Sequence, residues 1–111
     1  MEIRENKYIC IIAPLSLKIE KYKIESLSKK LEKETRKIAI DLKYVQDCTI
    51  DFIDFIKSLS NKDISFFNIH SDIFVLFNIM NLDKSVKLFV SEIDFEEDNR
   101  QIINRHFKLV S

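Results

Sequence analysis

The chain has 111 residues, of which 46% are hydrophobic and 32% are charged, and its 18 basic residues balance its 18 acidic residues. This composition predicts one folded domain over residues 1–111 that buries its core without disulfide bonds or a metal ion. Zero net charge argues against binding of nucleic acid or anionic membranes driven by bulk charge. The absence of glycine excludes Gly-rich phosphate loops.

Cysteine content and hydropathy point to a cytoplasmic protein. The two cysteines, Cys10 and Cys48, lie far apart, and neither belongs to a CxxC pair. We therefore expect free thiols in a reducing compartment. No segment approaches the roughly 20 apolar residues of a membrane helix, so we expect no direct membrane insertion.

The N-terminal third predicts a strand followed by a helix. Residues 8–13 (YICIIA) form a short apolar run that predicts a strand, and residues 2–5 are interpreted as a further short strand before a turn at Asn6. Residues 21–33 place apolar side chains at helical spacing among lysines and glutamates, which predicts an amphipathic surface helix.

The middle of the chain repeats this pattern. Residues 37–42 (KIAIDL) predict a second buried strand. Residues 49–59 predict a helix, because Ile53, Ile56 and Leu59 fall on one face at helical spacing.

The second half continues the alternation. Its predicted elements are a strand at residues 64–69, a helix at 72–80 with Ser71 or Asp72 as N-cap, a strand at 86–90 and a helix at 95–104. The final HFKLV either extends the last helix or forms an edge strand. Asn61 and Asn81 follow two of the helices and can end them in the left-handed conformation that glycine usually supplies.

The alternation of strands and helices predicts the fold class. Short, continuous apolar strands are typical of a parallel sheet that is covered on both faces. We therefore expect a single α/β domain with a mixed, mostly parallel sheet of about four or five strands and about four helices.

The residues that would carry enzyme chemistry are missing from their usual contexts. The strand at residues 8–13 is not followed by the acidic pair that holds magnesium in receiver domains, and no serine has a nucleophile-elbow context. His70 and His106 have no second ligand at coordinating spacing. We therefore predict no catalytic residue, metal or cofactor, and no enzymatic activity.

In the segment IAIDLKYVQDCTIDF, a strand that ends in Asp41-Leu42 is followed by a short loop and a helix start at residues 49–52. This arrangement resembles the STAS family, the domain of anti-sigma factor antagonists. In that family a strand ends in an Asp-Leu pair, and an Asp-Ser-Ser-Gly signature opens a helix after a loop of about six residues. Here IAIDL ends in Asp41-Leu42, Val45 matches the apolar loop residue, and residues 49–52 (TIDF) fall on the signature. The block ISFFNIHSDIFVLFNIMNLDKSVKLFVS is similar to the second half of the family's domain.

The resemblance gives Asp51 a specific position. The family's phosphate-accepting serine aligns with Asp51, and the family implies an anti-sigma factor or an ATP-binding serine kinase as protein partner. An aspartate cannot accept that phosphate, but it places one fixed negative charge near the helix N-terminus. The alternative interpretation is that Asp47, Thr49 and Asp51 simply start a helix well.

Two further positions have alternatives. If two loop residues are deleted relative to the family, Asp47-Cys48-Thr49 matches the signature and Thr49 becomes the acceptor, although Ile53 and Ile56 then leave the buried positions. Asp41 lies where α/β folds place ligands, or it bonds to amides of the next loop.

The predicted partner-binding surface is the start of the helix at residues 49–59 and the loop before it. Its members are Asp47, Cys48, Thr49, Ile50, Asp51, Phe52 and Phe55. Phe52 either faces outward beside Asp51, which would suit an interface, or serves the core. The Cys48 thiol either has a lowered pKa near a helix start or is packed and inert.

The resemblance implies a bacterial, cytoplasmic signalling module that regulates transcription by direct protein contact. An alternative is a STAS subunit of an ABC-type lipid transport complex that binds its ATPase. A third is a scaffold in a multi-STAS signalling complex. Self-association into a homodimer is left open.

Overall fold

The computed structural model describes residues 1–59, 62–99 and 108–109. Four α-helices lie in these residues; they are α1 (Lys21–Glu32), α2 (Ile50–Ser58), α3 (Ser71–Ile79) and α4 (Glu92–Asp98). A single 3-10 turn, Leu82–Lys84, follows α3. No helix among these residues is long and apolar enough to cross a membrane.

Within residues 1–59, 62–99 and 108–109, eight short strands form two sheets. The strands are β1 (Glu2–Glu5), β2 (Ile9–Ala13), β3 (Lys18–Ile19), β4 (Lys37–Asp41), β5 (Asp47–Cys48), β6 (Ile64–Phe67), β7 (Lys87–Leu88) and β8 (Lys108–Leu109). The six-stranded sheet has the order β7-β6-β4-β2-β1-β8, and β3 pairs with β5 in a two-stranded parallel sheet. Neighbours from β2 to β7 are parallel, whereas β1 is antiparallel to both β2 and β8.

This architecture confirms the predicted α/β class with a mixed, mostly parallel sheet. The predicted strand at residues 2–5 is confirmed as β1, and Asn6 makes the turn to β2. The Asn6 Oδ1 atom accepts hydrogen bonds from the amides of Tyr8 and Ile9 at 2.8 and 3.0 Å. The sequence did not predict β3 or β5, because two-residue strands leave no periodic pattern.

The third and fourth helices begin earlier than predicted. Neither Ser71 nor Asp72 is the N-cap of α3; His70 occupies that position and makes no capping hydrogen bond with its side chain. The fourth helix begins at Glu92 rather than at residue 95, because the Ser91 Oγ atom accepts from the amide of Asp94 and caps it. The predicted end of this helix lies outside the described residues.

Two asparagines adopt the left-handed conformation. Asn81 has φ 60°, which confirms its predicted role after α3, and Asn68 has φ 56°. The predicted strand at residues 64–69 therefore stops at Phe67. Asn61 lies outside the described residues.

The chain end and the seventh strand also differ from their predicted extents. Of the final HFKLV segment, Lys108–Leu109 is an edge strand beside β1, and its other residues lie outside the described part of the chain. The predicted strand at residues 86–90 is reduced to Lys87–Leu88.

The sheet separates two apolar layers. One face packs against α1, α2 and α3 through buried side chains such as Leu27, Phe52 and Phe77. The opposite face packs against α4, where the rings of Phe67 and Phe95 stack with centroids 4.7 Å apart. The connections from β2 to β4, from β4 to β6 and from β6 to β7 all run in the same direction across the sheet. Right-handed connections that run in one direction place their helices on one face, so α1, α2 and α3 share a face.

Ser65 lies in the layer beneath α4. It is fully buried in β6, and among the described residues its Oγ is the one buried side-chain polar atom without a hydrogen-bond partner. An unpaired buried hydroxyl costs roughly 1–3 kcal/mol.

Replacing Ser65 with alanine is therefore expected to raise the free energy of unfolding by about 1 kcal/mol. Urea unfolding followed by circular dichroism measures this change. The control is Ser28→Ala on the exposed side of α1, where we expect a change within about 0.5 kcal/mol. A less stable Ser65→Ala variant would contradict the assignment of Ser65 as an unpaired hydroxyl.

Candidate functional site

The small β3–β5 sheet joins two loops at the carboxyl edge of the main sheet. Lys18 pairs with Asp47, and Ile19 pairs with Cys48. The Leu17 carbonyl oxygen extends this pairing by accepting from the amides of Gln46 and Asp47 at 2.8 and 3.1 Å. The loop before α2 is therefore held against residues 17–19 by backbone hydrogen bonds.

Thr49 connects this small sheet to α2. It is the N-cap residue, and its Oγ1 atom accepts from the amide of Phe52 at 3.1 Å. The same hydroxyl donates to the Ile19 carbonyl at 3.0 Å. Because the hydroxyl is used as both donor and acceptor, a phosphate on Thr49 would break the cap and the link to β3.

The first turn of α2 presents a carboxylate to solvent. Asp51 is exposed and is the acidic residue of that turn. A carboxylate in the first turn stabilises a helix by roughly 0.3–1 kcal/mol, through the positive end of the helix dipole. The helix-start interpretation of Asp51 therefore has a physical basis.

The inner face of α2 belongs to the core. Phe52 is fully buried, and its ring meets that of Phe66 edge-on with centroids 6.3 Å apart. The interpretation of Phe52 as an outward-facing partner contact is therefore wrong. Phe55 is half-buried, while Ile53 and Ile56 are buried as predicted.

The outer face of the α2 start carries an exposed apolar group with acidic neighbours. Ile50 is 76% exposed, and Leu17, held beside Asp47 by the backbone pairing, is 64% exposed. Asp47 and Asp51 are also exposed. We call Leu17, Asp47, Ile50 and Asp51 the α2-start surface.

This surface brings together three of the predicted partner-binding residues, Asp47, Ile50 and Asp51. Leu17 was missed by the sequence reasoning, because only the pairing of β3 with β5 places it there. No periodic signal around Leu17 could have shown that it is exposed. Thr49 and Phe52 lie behind this surface and support it.

Cys48 is a packed thiol rather than a reactive one. Burial, with a smaller contribution from the charge of Asp47, raises the pKa of Cys48 to about 12. The lowered pKa considered from the sequence is therefore wrong. Burial also raises the pKa of Cys10.

A polar network lies at the same carboxyl edge, on the α4 side of the sheet. Asp41 is 1% exposed, and its Oδ1 atom accepts from the Lys43 amide at 3.0 Å and from Asn68 Nδ2 at 3.1 Å. The hydrogen bond from the Lys43 amide agrees with the predicted alternative in which Asp41 accepts from an amide of the next loop. Two cationic groups lie farther from the Asp41 Oδ2 atom, Lys43 Nζ at 3.7 Å and an Arg4 guanidinium nitrogen at 3.9 Å.

Asn68 extends this network to α4. Its Oδ1 atom accepts from the Glu92 amide at 3.1 Å, so one amide side chain bridges Asp41 and the first residue of α4. Arg4 completes the connection through its ion pair with Glu92. The network therefore has a structural role, because it fastens α4 to the sheet.

The described residues contain no group of three or more His, Cys, Asp or Glu side chains that could hold a metal ion. His70 is exposed at the start of α3, and His106 lies outside the described residues.

The raised pKa of Cys48 predicts slow alkylation of the native protein. Because a pKa of about 12 leaves the folded thiol almost entirely protonated at pH 8, iodoacetamide should modify it on the order of a thousandfold more slowly than in urea. Quenched samples analysed by mass spectrometry give both rates. A native thiol that reacts at the unfolded rate would contradict this prediction, and Asp47→Asn should accelerate the native reaction only modestly.

The geometry of Asn68 predicts different costs for two substitutions. Asn68→Gly removes the two side-chain hydrogen bonds and should cost about 1–3 kcal/mol in the free energy of unfolding. Asn68→Ala should cost a further 1–2 kcal/mol or so, because alanine disfavours the left-handed backbone. Urea unfolding of both variants measures the difference, and equal stabilities would show that the backbone conformation is not maintained.

Comparisons with known proteins bear on the fold. No protein-family model matches the chain. No curated protein matches its sequence. The structure superposes on the crystal structure of a candidate anti-sigma factor antagonist from Thermotoga maritima with a TM-score of 0.67 and 19% sequence identity. The alignment covers 88% of this chain and 92% of that chain, so the chain has a STAS-like fold, as the resemblance of its sequence predicts.

Proposed function

We propose that the chain is a non-enzymatic regulatory module that binds an anti-sigma factor or a related ATP-binding serine kinase in the cytoplasm. The α2-start surface is the proposed contact. The observation that carries the proposal is the exposure of Ile50, at a position where the STAS resemblance expects a partner, together with the exposed Leu17 beside Asp47. The similarity in fold to a candidate anti-sigma factor antagonist supports the same class of function.

The chemistry of this surface suits a protein partner. Ile50 is the most exposed large apolar side chain of the described residues. Apolar groups at the centre of an interface contribute affinity, and charges at its rim contribute specificity and association rate. Asp47 and Asp51 would form such a rim, so the partner is expected to present an apolar pocket with basic residues around it.

The first turn of α2 has no available phosphate acceptor. The resemblance aligns Asp51 with the family's serine, and the Thr49 hydroxyl is engaged with the Phe52 amide and the Ile19 carbonyl. We propose that the partner interaction is not switched by phosphorylation at these positions. The α2-start surface then keeps the same negative charge at Asp51 at all times.

The missing acceptor also favours a second candidate. A STAS subunit of an ABC-type lipid transport complex would bind its ATPase through the same helix without a phosphorylation cycle. A scaffold in a multi-STAS complex would likewise need no acceptor. Both candidates use a protein contact, so the identity of the partner distinguishes them from the first proposal.

The test is affinity capture of the tagged protein from its own cells, with mass spectrometry of the bound proteins. We expect recovery of a serine kinase or an anti-sigma factor, and we expect Ile50→Lys to reduce it at least about tenfold because a charge would then be buried in the contact. The matched control is Ile93→Lys, which changes an isoleucine of α4 that is 67% exposed.

Charge substitutions give a second comparison within the same experiment. Asp51→Asn removes the rim charge, whereas Asp54→Asn removes an exposed charge further along α2. We expect only the first to weaken recovery. Recovery of an ABC ATPase, or recovery that is unaffected by Ile50→Lys, would overturn the regulatory proposal.

A further inference from the structure

Helix α4 is attached to the sheet by little apolar contact. Of its seven residues, Phe95 alone is buried. The Phe95 ring stacks on that of Phe67, and the other buried side chains of this layer are Ile9, Ile11 and Ala39. One buried ring therefore supplies most of the apolar anchorage of the helix.

Helix α2 provides a matched comparison, because both helices begin with a hydroxyl N-cap that accepts a hydrogen bond from a backbone amide. In α4 the Ser91 carbonyl also accepts from the amide of Phe95 at 3.2 Å. In α2 the Thr49 carbonyl accepts from the amide of Ile53 at the same distance. Yet α2 buries three side chains whereas α4 buries one, so equivalent hydrogen bonds have different support from the core.

The charges of α4 oppose its helical conformation. Five of its seven residues (EIDFEED) are acidic and none is basic. Glu92 and Glu96 lie four residues apart, as do Asp94 and Asp98, and like charges at this spacing repel each other. Residues 96–98 also lie at the negative end of the helix dipole, which disfavours carboxylates, whereas the last turn of α2 carries a lysine.

The compensating contacts are concentrated at the first turn of α4. Arg4 of β1 forms an ion pair with Glu92, and both side chains are half-buried. The Asn68 Oδ1 atom accepts from the Glu92 amide at 3.1 Å. At the other end Lys87 lies 3.4 Å from Asp98, but both side chains are exposed, and exposed ion pairs contribute little to stability.

We propose that α4 is a displaceable cover of the sheet. It leaves the sheet as a unit while the rest of the domain stays folded, and the contacts of Arg4 and Asn68 at its first turn set how often it does so. Segments with few buried apolar contacts open in this local way. Opening exposes the apolar face on which Phe95 packs, so access to that face depends on the charge pair at the helix start.

This proposal does not rest on the proposed function. Helix α4 lies on the face of the sheet opposite to α2, and none of its contacts involves the α2-start surface. Failure of the partner proposal would therefore leave the proposal for α4 unaffected.

Native-state hydrogen exchange of the whole chain, followed by NMR at low urea concentrations, tests the proposal. After correction for intrinsic rates, the Phe95 amide should exchange at least about tenfold faster than the Ile53 amide. Urea should accelerate exchange at Phe95 less steeply, because opening of α4 exposes less surface than unfolding of the whole domain.

A substitution in the main core separates local opening from global unfolding. Ile40 is buried on the face of the sheet that packs against α1, α2 and α3, and this layer stays folded when α4 opens. Ile40→Val should therefore accelerate exchange at Ile53 by about threefold to tenfold and leave exchange at Phe95 unchanged.

Charge substitutions locate the attachment of α4. Arg4→Gln should accelerate exchange at Phe95 at least about fivefold, because it removes the ion pair at the helix start. The matched control is Lys87→Gln, which removes the exposed pair at the helix end and should change that rate by less than about twofold. Glu97→Lys should slow exchange at Phe95 by about threefold, because it relieves repulsion in the last turn.

Three outcomes would overturn the proposal. The first is exchange at Phe95 and Ile53 with equal protection and equal urea dependence, accelerated alike by Ile40→Val, because α4 would then open only with the whole domain. The second is equal acceleration at Phe95 by Arg4→Gln and Lys87→Gln, which would place no special attachment at the first turn. The third is an unprotected Phe95 amide, which would mean that α4 does not cover the sheet.

Discussion

The structure depends on covering both faces of the central strand β4. Ile38, Ala39 and Ile40 pair with β2 on one side and with β6 on the other, and four of the five residues of β4 are buried. The side chains of Ile38 and Ile40 point to one face and that of Ala39 to the other, so the sheet needs a layer on each side. Three crossover helices supply one layer because their connections share one hand. The second layer is left to α4.

Attachment of α4 requires polar contacts as well as apolar ones. Phe95 is the buried residue of this short helix, and it stacks on Phe67 of the sheet. The remaining connection is made at the helix start, where Asn68 joins the Glu92 amide to Asp41. A carboxylate buried at the end of a parallel strand thus has its hydrogen-bond partners within the fold, and its place at the edge where α/β proteins bind ligands does not by itself indicate a ligand.

The same carboxyl edge produces the candidate site on the other face of the sheet. Thr49 caps α2 and is tied to β3, so the helix begins at a defined place and Ile50 is directed into solvent. This surface and the outer side of α3 are both apolar, but they differ in charge. The acidic neighbours of Ile50 favour a partner with basic groups, whereas the strip formed by Val75 and Ile79 carries no charge.

The sequence by itself determined the strands and helices that have long apolar patterns, the left-handed Asn81 and the STAS-like class of the fold. It determined these because periodicity, capping and turn chemistry are local properties of the chain. Only the tertiary structure decided that Phe52 is buried, that Leu17 lies beside Asp47 and that the outer side of α3 is exposed. Helical phase and strand pairing depend on which elements become neighbours, and residues far apart along the chain set that choice.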